Sequence, residues 1–127
     1  MNEAIRNAMR RAAKVSPQFV AMHLYVLVKD ADFGRPVART YDWQEMVRGT
    51  VRWPDFDERQ RTYGGEVGDG VATLVAPSGP VPDLIQTADG EWLAVSSADG
   101  QDAFGANLKV RVRRWKGDAP TIRNAAP

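Results

Sequence analysis

Cysteine is absent and histidine occurs once, at His23, so the chain cannot assemble a disulfide framework, thiolate chemistry or the common zinc ligand sets. No apolar run approaches the roughly 20 residues that a membrane-spanning helix needs, which predicts a soluble chain with no membrane partner. The opening MNEAIRNAMRRAAKV lacks the unbroken apolar stretch of a secretory signal, because Arg6, Arg10 and Arg11 recur through it, and export by that route is not expected. Basic residues are missing from one long internal stretch. Between Thr62 and Leu108 there is no Lys or Arg, yet Glu66, Asp69, Asp83, Asp89, Glu91, Asp99 and Asp102 all fall there. From Lys109 onward, Lys109, Arg111, Arg113, Arg114, Lys116 and Arg123 face Asp118 alone, and the segment up to Lys14 is basic as well. The net charge of +1 therefore hides a segregation along the chain. It fits ordinary solvated faces, and it also suits copies that meet basic patch on acidic patch in a heterologous ring.

What is present reads as one domain of 127 residues, with residues 1–115 as a β-barrel-like unit and 116–127 as an extended C-terminal arm. Residues 3–14 read as a short helix, with Ile5 and Met9 one turn apart and Arg6, Arg10 and Lys14 on a parallel line. The apolar run at 19–28 is compatible with helix or strand, and Val20, Tyr25, Val26 and Val28 favour strand. Beyond it, turn clusters rich in Gly, Pro and Asp separate short runs, predicting five or six strands in all. In EMVRGTVRW, Val47, Val51 and Trp53 alternate with Met46, Arg48, Thr50 and Arg52, with Gly49 as a candidate bulge. DLIQT and EWLAVSS flank Ala88-Asp89-Gly90, a strong hairpin signal, and a second Ala-Asp-Gly at 98–100 reads as the turn leaving that hairpin. NLKVRVRRW is the clearest alternation, with Leu108, Val110 and Val112 inward and Lys109, Arg111 and Arg113 outward. The expected fold class is mainly β: a small antiparallel barrel or sandwich with a short N-terminal helix.

Catalysis finds little support. His23 has no serine in a nucleophile motif to serve as base for, and a lone His in an apolar strand is usually packed structure. Acid pairs occur at Asp30 and Asp32, at Asp55 and Asp57, and at Glu66 and Asp69, but acids in turns ordinarily bond the local backbone. DADFG lacks the later ligands of a calcium loop. The glycine-rich run Gly64, Gly65, Glu66, Gly68, Asp69 and Gly70 lacks the lysine of a phosphate cradle and carries two carboxylates that repel anions, so it reads as a mobile loop for contact with a neighbour or a channel. No catalytic residue, metal or cofactor is expected. Lys109, Arg111, Arg113, Arg114 and Lys116, with Trp115 among them, form a candidate basic interaction face, and nucleic-acid binding through 109–116 is the alternative function.

The order of helix, strand-rich body, glycine-rich loop, Asp-Gly hairpin and final alternating strand resembles the head-tail joining, or connector, proteins of tailed bacteriophages. The residues carrying the resemblance are YDWQEMVRGTVRWP (41–54), GGEVGDG (64–70), VATLVAP (71–77), DGEWLAV (89–95) and LKVRVRR (108–114). The resemblance implies a non-enzymatic virion protein, made in the host cytoplasm, that forms a homo-oligomeric ring at the neck, closes the DNA-filled head and docks the tail. Its implied partners are portal or adaptor and tail proteins, with DNA in the channel as a weak contact. The 64–70 loop would then face the channel or a neighbouring ring. The run at 19–28 departs from the pattern and leaves the register of the first strand open.

Overall fold

The computed structural model describes residues 3–15, 17–28, 39–53, 69–101 and 106–127. In chain order these form α1 (Glu3–Val15), β1 (Val20–Leu27), β2 (Thr40–Arg52), β3 (Asp69–Val75), β4 (Leu84–Thr87), β5 (Trp92–Gln101), β6 (Asn107–Arg114) and β7 (Thr121–Asn124). The 19–28 run forms a strand over Val20–Leu27, as its β-branched and aromatic residues favour. The sheet runs β1-β4-β5-β6-β3-β2-β7, and β1 also pairs with β2, so hydrogen bonds close a ring of six strands with β7 attached outside it. The fold is therefore mainly β with one short N-terminal helix, and the closure is barrel-like.

Closure is possible because β2 is long enough to serve three partners. One of its edges pairs with β1 from Leu27↔Tyr41 to Val20↔Gly49. The other edge is divided between β3, at Gly49 to Arg52, and β7, which runs parallel to it at Thr40 to Asp42. The strand count is thus seven, because the 116–127 segment expected as an arm contributes a strand of its own.

Alternation of side chains assigns the two faces of the ring. Met22 and Leu24 of β1, Val47 of β2, Ala72 and Leu74 of β3, Ile85 of β4, Leu93 of β5, and Leu108, Val110 and Val112 of β6 meet in one buried cluster fed by all six ring strands. That common cluster is the interior. Tyr25, Leu84 and Trp92 are chain neighbours of interior residues and so point outward. There they join Tyr41, Trp43, Trp115 and Ile122 in a second cluster, which the C-terminal segment covers. A third small cluster seats α1, where Met9 and Ala13 meet Phe19, Val75 and Ala76.

Two sequence features take a different place from the one expected. Gly49 is not a bulge: a Cβ there would lie 2.6 Å from the Thr73 carbonyl oxygen and 2.9 Å from Met22 Sδ, so its role is close packing inside the ring. The bulge of β2 falls at Gln44, between the pairs Leu24↔Glu45 and Tyr25↔Trp43. Likewise Asp99-Gly100 is not a turn but part of β5, where the register with β6 slips between Ala98 and Gly100. The first Ala-Asp-Gly does form the hairpin turn, with Gly90 at φ 89° and its amide donating to the Thr87 carbonyl at 3.0 Å.

Candidate functional site

Leu108, Val110 and Val112 are buried as their alternation predicts, which leaves Lys109, Arg111 and Arg113 on the outer face. Lys109 and Arg113 are exposed and Arg111 is half-buried. The neighbours of β6 in the ring are β3 and β5, both drawn from the stretch without Lys or Arg. Pairing therefore sets acids against bases within one chain. Arg113 Nε donates to Asp69 Oδ1 at 2.8 Å, and Arg114 Nε donates to Glu91 Oε1 at 3.0 Å. The Arg114 guanidinium also stacks over the Trp53 ring, 4.0 Å from its centroid. Trp115 packs edge-on against Tyr41 and donates its indole N–H to the Asp118 carbonyl at 2.6 Å, so its ring is engaged in the fold. Lys116 is exposed.

The glycine-rich loop needs correction at its C-terminal end. Gly64, Gly65, Glu66 and Gly68 lie outside the described residues, as do Asp30, Asp32, Asp55 and Asp57. Asp69 and Gly70 belong to β3. Asp69 is only 3% exposed and carries the partner of Arg113, so this carboxylate serves the sheet and not a channel wall. Gly70 sits under Trp53, where a Cβ would lie 2.5 Å from Trp53 Cε3. Its glycine is required by packing.

A groove of about 290 Å³ lies between α1 and β2. Val47, Val75 and Met46 supply its apolar lining, with Arg10, Lys14 and Arg48 as its cations. Arg6 and Arg10 hold the helix in place: Arg6 donates to the Pro77 carbonyl, and Arg10 Nη2 to the Ala76 carbonyl at 2.9 Å. Ala76 adopts φ 46° and is fully buried at this junction. Glu45, the acid of the groove, accepts from the Ser78 and Gly79 amides at 3.1 and 2.9 Å, so its charge is directed into that turn. The regular Arg6, Arg10, Lys14 spacing was a sign of this groove, but only the docked helix shows which cations clamp the backbone and which remain at the surface.

A second hollow, of about 390 Å³, lies among Val20, Met22, Val51, Trp53 and Leu93, with Asp89 and Glu91 on its lining. Asp89 stands at the tip of the exposed β4–β5 turn. Its carboxyl is held below the ordinary aspartate range, chiefly by the Thr87 hydroxyl, which donates to it, and then by the Glu91 amide. His23 accepts the Trp43 indole N–H on Nδ1 at 3.0 Å, a structural hydrogen bond on the outer face. Among the described residues, no group of three or more His, Asp or Glu is placed to hold a metal ion.

No family model matches the chain, and no curated protein matches it. Among solved structures, it is similar to the solution structure of protein SF1141 from Shigella flexneri 2a, with 12% identity, a TM-score of 0.61, and coverage of 82% of this chain and 100% of that chain. At this identity the likeness is one of fold.

Proposed function

We propose that this chain is a structural subunit of the head-tail connector of a tailed bacteriophage, assembling as a ring that closes the DNA-filled head and docks the tail. In this reading it is made in the host cytoplasm, ends in the virion and acts through its surfaces, with portal or adaptor and tail proteins as neighbours and no catalysis or cofactor. The observation that carries the reading is the architecture. A small ring-closed β body has its N-terminal helix and C-terminal strand both laid on its outside, which agrees with the fold the family resemblance implies. Closing the sheet removes most of the edges through which copies would otherwise pair indiscriminately, and leaves defined grooves and turns for assembly.

The charge argument takes a narrower form than the sequence suggests. Asp69 and Glu91 are paired with Arg113 and Arg114 of the same chain, so contacts between copies must draw on other charges. The same pairing, with Trp115 packed on Tyr41, takes three of the residues that a nucleic-acid face at 109–116 would use. Imaging of particles assembled without this protein tests the reading: the expected result is filled or leaking heads that lack tails, restored by supplying the gene in trans. Normal tailed particles would sink it.

A further inference from the structure

We propose that the groove between α1 and β2 receives the β4–β5 turn, residues 88–91, of a second copy, with Asp89 of the incoming turn meeting Lys14 and Arg48. This contact rests on the ring reading above and gives it a specific interface. The turn is convex and fully offered: Ala88, Asp89 and Gly90 are all exposed, and a Cβ placed on Gly90 would meet nothing within 4 Å. The groove is concave, and its apolar lining includes Met46, which is 45% exposed. Its charge is complementary to the turn. Glu45 is turned toward Ser78 and Gly79, and Arg10 toward Ala76, while Lys14 and Arg48 have no described partner in the chain. Asp89 is the corresponding acid of the turn, since Glu91 beside it is held by Arg114.

Within one chain the turn is not seated in the groove. Thr87 pairs with Met22 of β1 and Met22 with Val47 of β2, so turn and groove flank β1, and Ala88, Asp89 and Glu91 line the other hollow with Val20, Met22, Thr50 and Val51, while no residue of the turn lines the groove. Knob and socket are thus two different surfaces of the chain, and a contact between them joining two copies is heterologous, propagating from copy to copy and closing when the rotation allows. The ionised state of Asp89, favoured by the Thr87 hydroxyl, keeps the knob anionic through neutral pH.

Charge-swap variants of the full chain test the contact. D89K carries a damaged knob, K14E/R48E a damaged socket, and D89N removes only the charge while keeping an acceptor for the Thr87 hydroxyl. Sedimentation velocity and native mass measurement report assembly, with circular dichroism checking that each variant is folded. Each of D89K and K14E/R48E alone is expected to associate about tenfold or more weakly than wild type, and D89N less so. An equimolar mixture of D89K and K14E/R48E is expected to assemble again, because both contacts of the mixed ring pair opposite charges. Wild-type assembly matched by folded D89K, or a mixture that stays dissociated, would overturn the contact and leave the ring reading standing. A wild-type chain that remains monomeric as its concentration is raised would overturn both.

Discussion

Gly70 and Asp69 illustrate how two adjacent residues acquire roles that their local sequence does not specify. Both sit at the end of a run, GGEVGDG, whose composition is that of a loop. In the fold they are the first residues of β3, one beneath Trp53 and the other joined to Arg113. Gly70→Ala is therefore expected to lower stability by roughly 1–3 kcal/mol, through displacement of Trp53 and not through loss of flexibility. Urea unfolding followed by tryptophan fluorescence should show both the lower midpoint and an altered native emission. Arg113→Ala strips the partner from a carboxylate that is almost fully buried, and about 2 kcal/mol of destabilisation is expected by the same measurement. Arg114→Ala should cost less, since its pair with Glu91 is exposed and screened by solvent. The alternation of β6 was legible because each of its residues faces core or water. The glycine was not, because its constraint comes from an aromatic ring 17 positions earlier in the sequence.

At the level of elements, the C-terminal segment departs most from its sequence reading. KGDAPTIRNAAP offers one large apolar residue, Ile122, and no alternating pattern, so an arm is the natural expectation. Its strand forms because β3 leaves part of the β2 edge unpaired and because Asp42 clips it there. The Asp42 carboxylate accepts from Arg123 Nε at 3.0 Å and from Asn124 Nδ2 at 3.1 Å. The Arg123 hydrogen bond, with Asn124 in support, holds the Asp42 carboxyl below the ordinary aspartate range. A lowered folded-state value means that the contribution is present above the unfolded value and is lost as pH falls through the folded one. The gap in thermal midpoint between wild type and Asp42→Asn should accordingly persist from neutral pH down to the ordinary aspartate range, then close on further acidification. Deleting residues 119–127 should uncover the cluster around Tyr41 and Trp115, which a red shift of tryptophan emission and new binding of an apolar dye would report. The hairpin turn at Asp89-Gly90 was readable because positive φ has a residue signature. The equivalent motif at Asp99-Gly100 became a bulge because β6 continues beside it, and no local signal distinguishes the two.

For the molecule as a whole, the ring has one interior, fed by every one of its six strands. Leu74→Ala, at a position with no exposure, should cost about 2–5 kcal/mol and lower a single cooperative transition seen alike by circular dichroism and fluorescence. A loss confined to one probe would show that the strands do not share a core. Charge behaves globally too. The long acidic stretch and the basic C-terminal strand, separated in sequence, become neighbours through β3–β6 and β5–β6 pairing, so Asp69 and Glu91 find Arg113 and Arg114 inside the same copy. If copies meet through Asp89, Lys14 and Arg48, association should weaken as salt shortens the Debye length from about 10 Å at 0.1 M toward about 3 Å at 1 M, and sedimentation across that range checks it.

The sequence by itself determined the fold class, the helix at the N-terminus, the inward and outward faces of β6 and the Asp-Gly hairpin, and it favoured without deciding the strand at 20–27. Each follows from a period of two or 3.6, or from a turn residue whose backbone preference is local. Tertiary structure alone decided that the sheet closes, that β2 divides one edge between β3 and β7, that Gly49 and Gly70 are packing positions, and that acids and bases from distant segments pair in one chain. Alternation tells each residue which face it occupies, but not which strand lies beside it. That choice is made by contacts between residues far apart in sequence, where edge length, side-chain volume and charge are settled together.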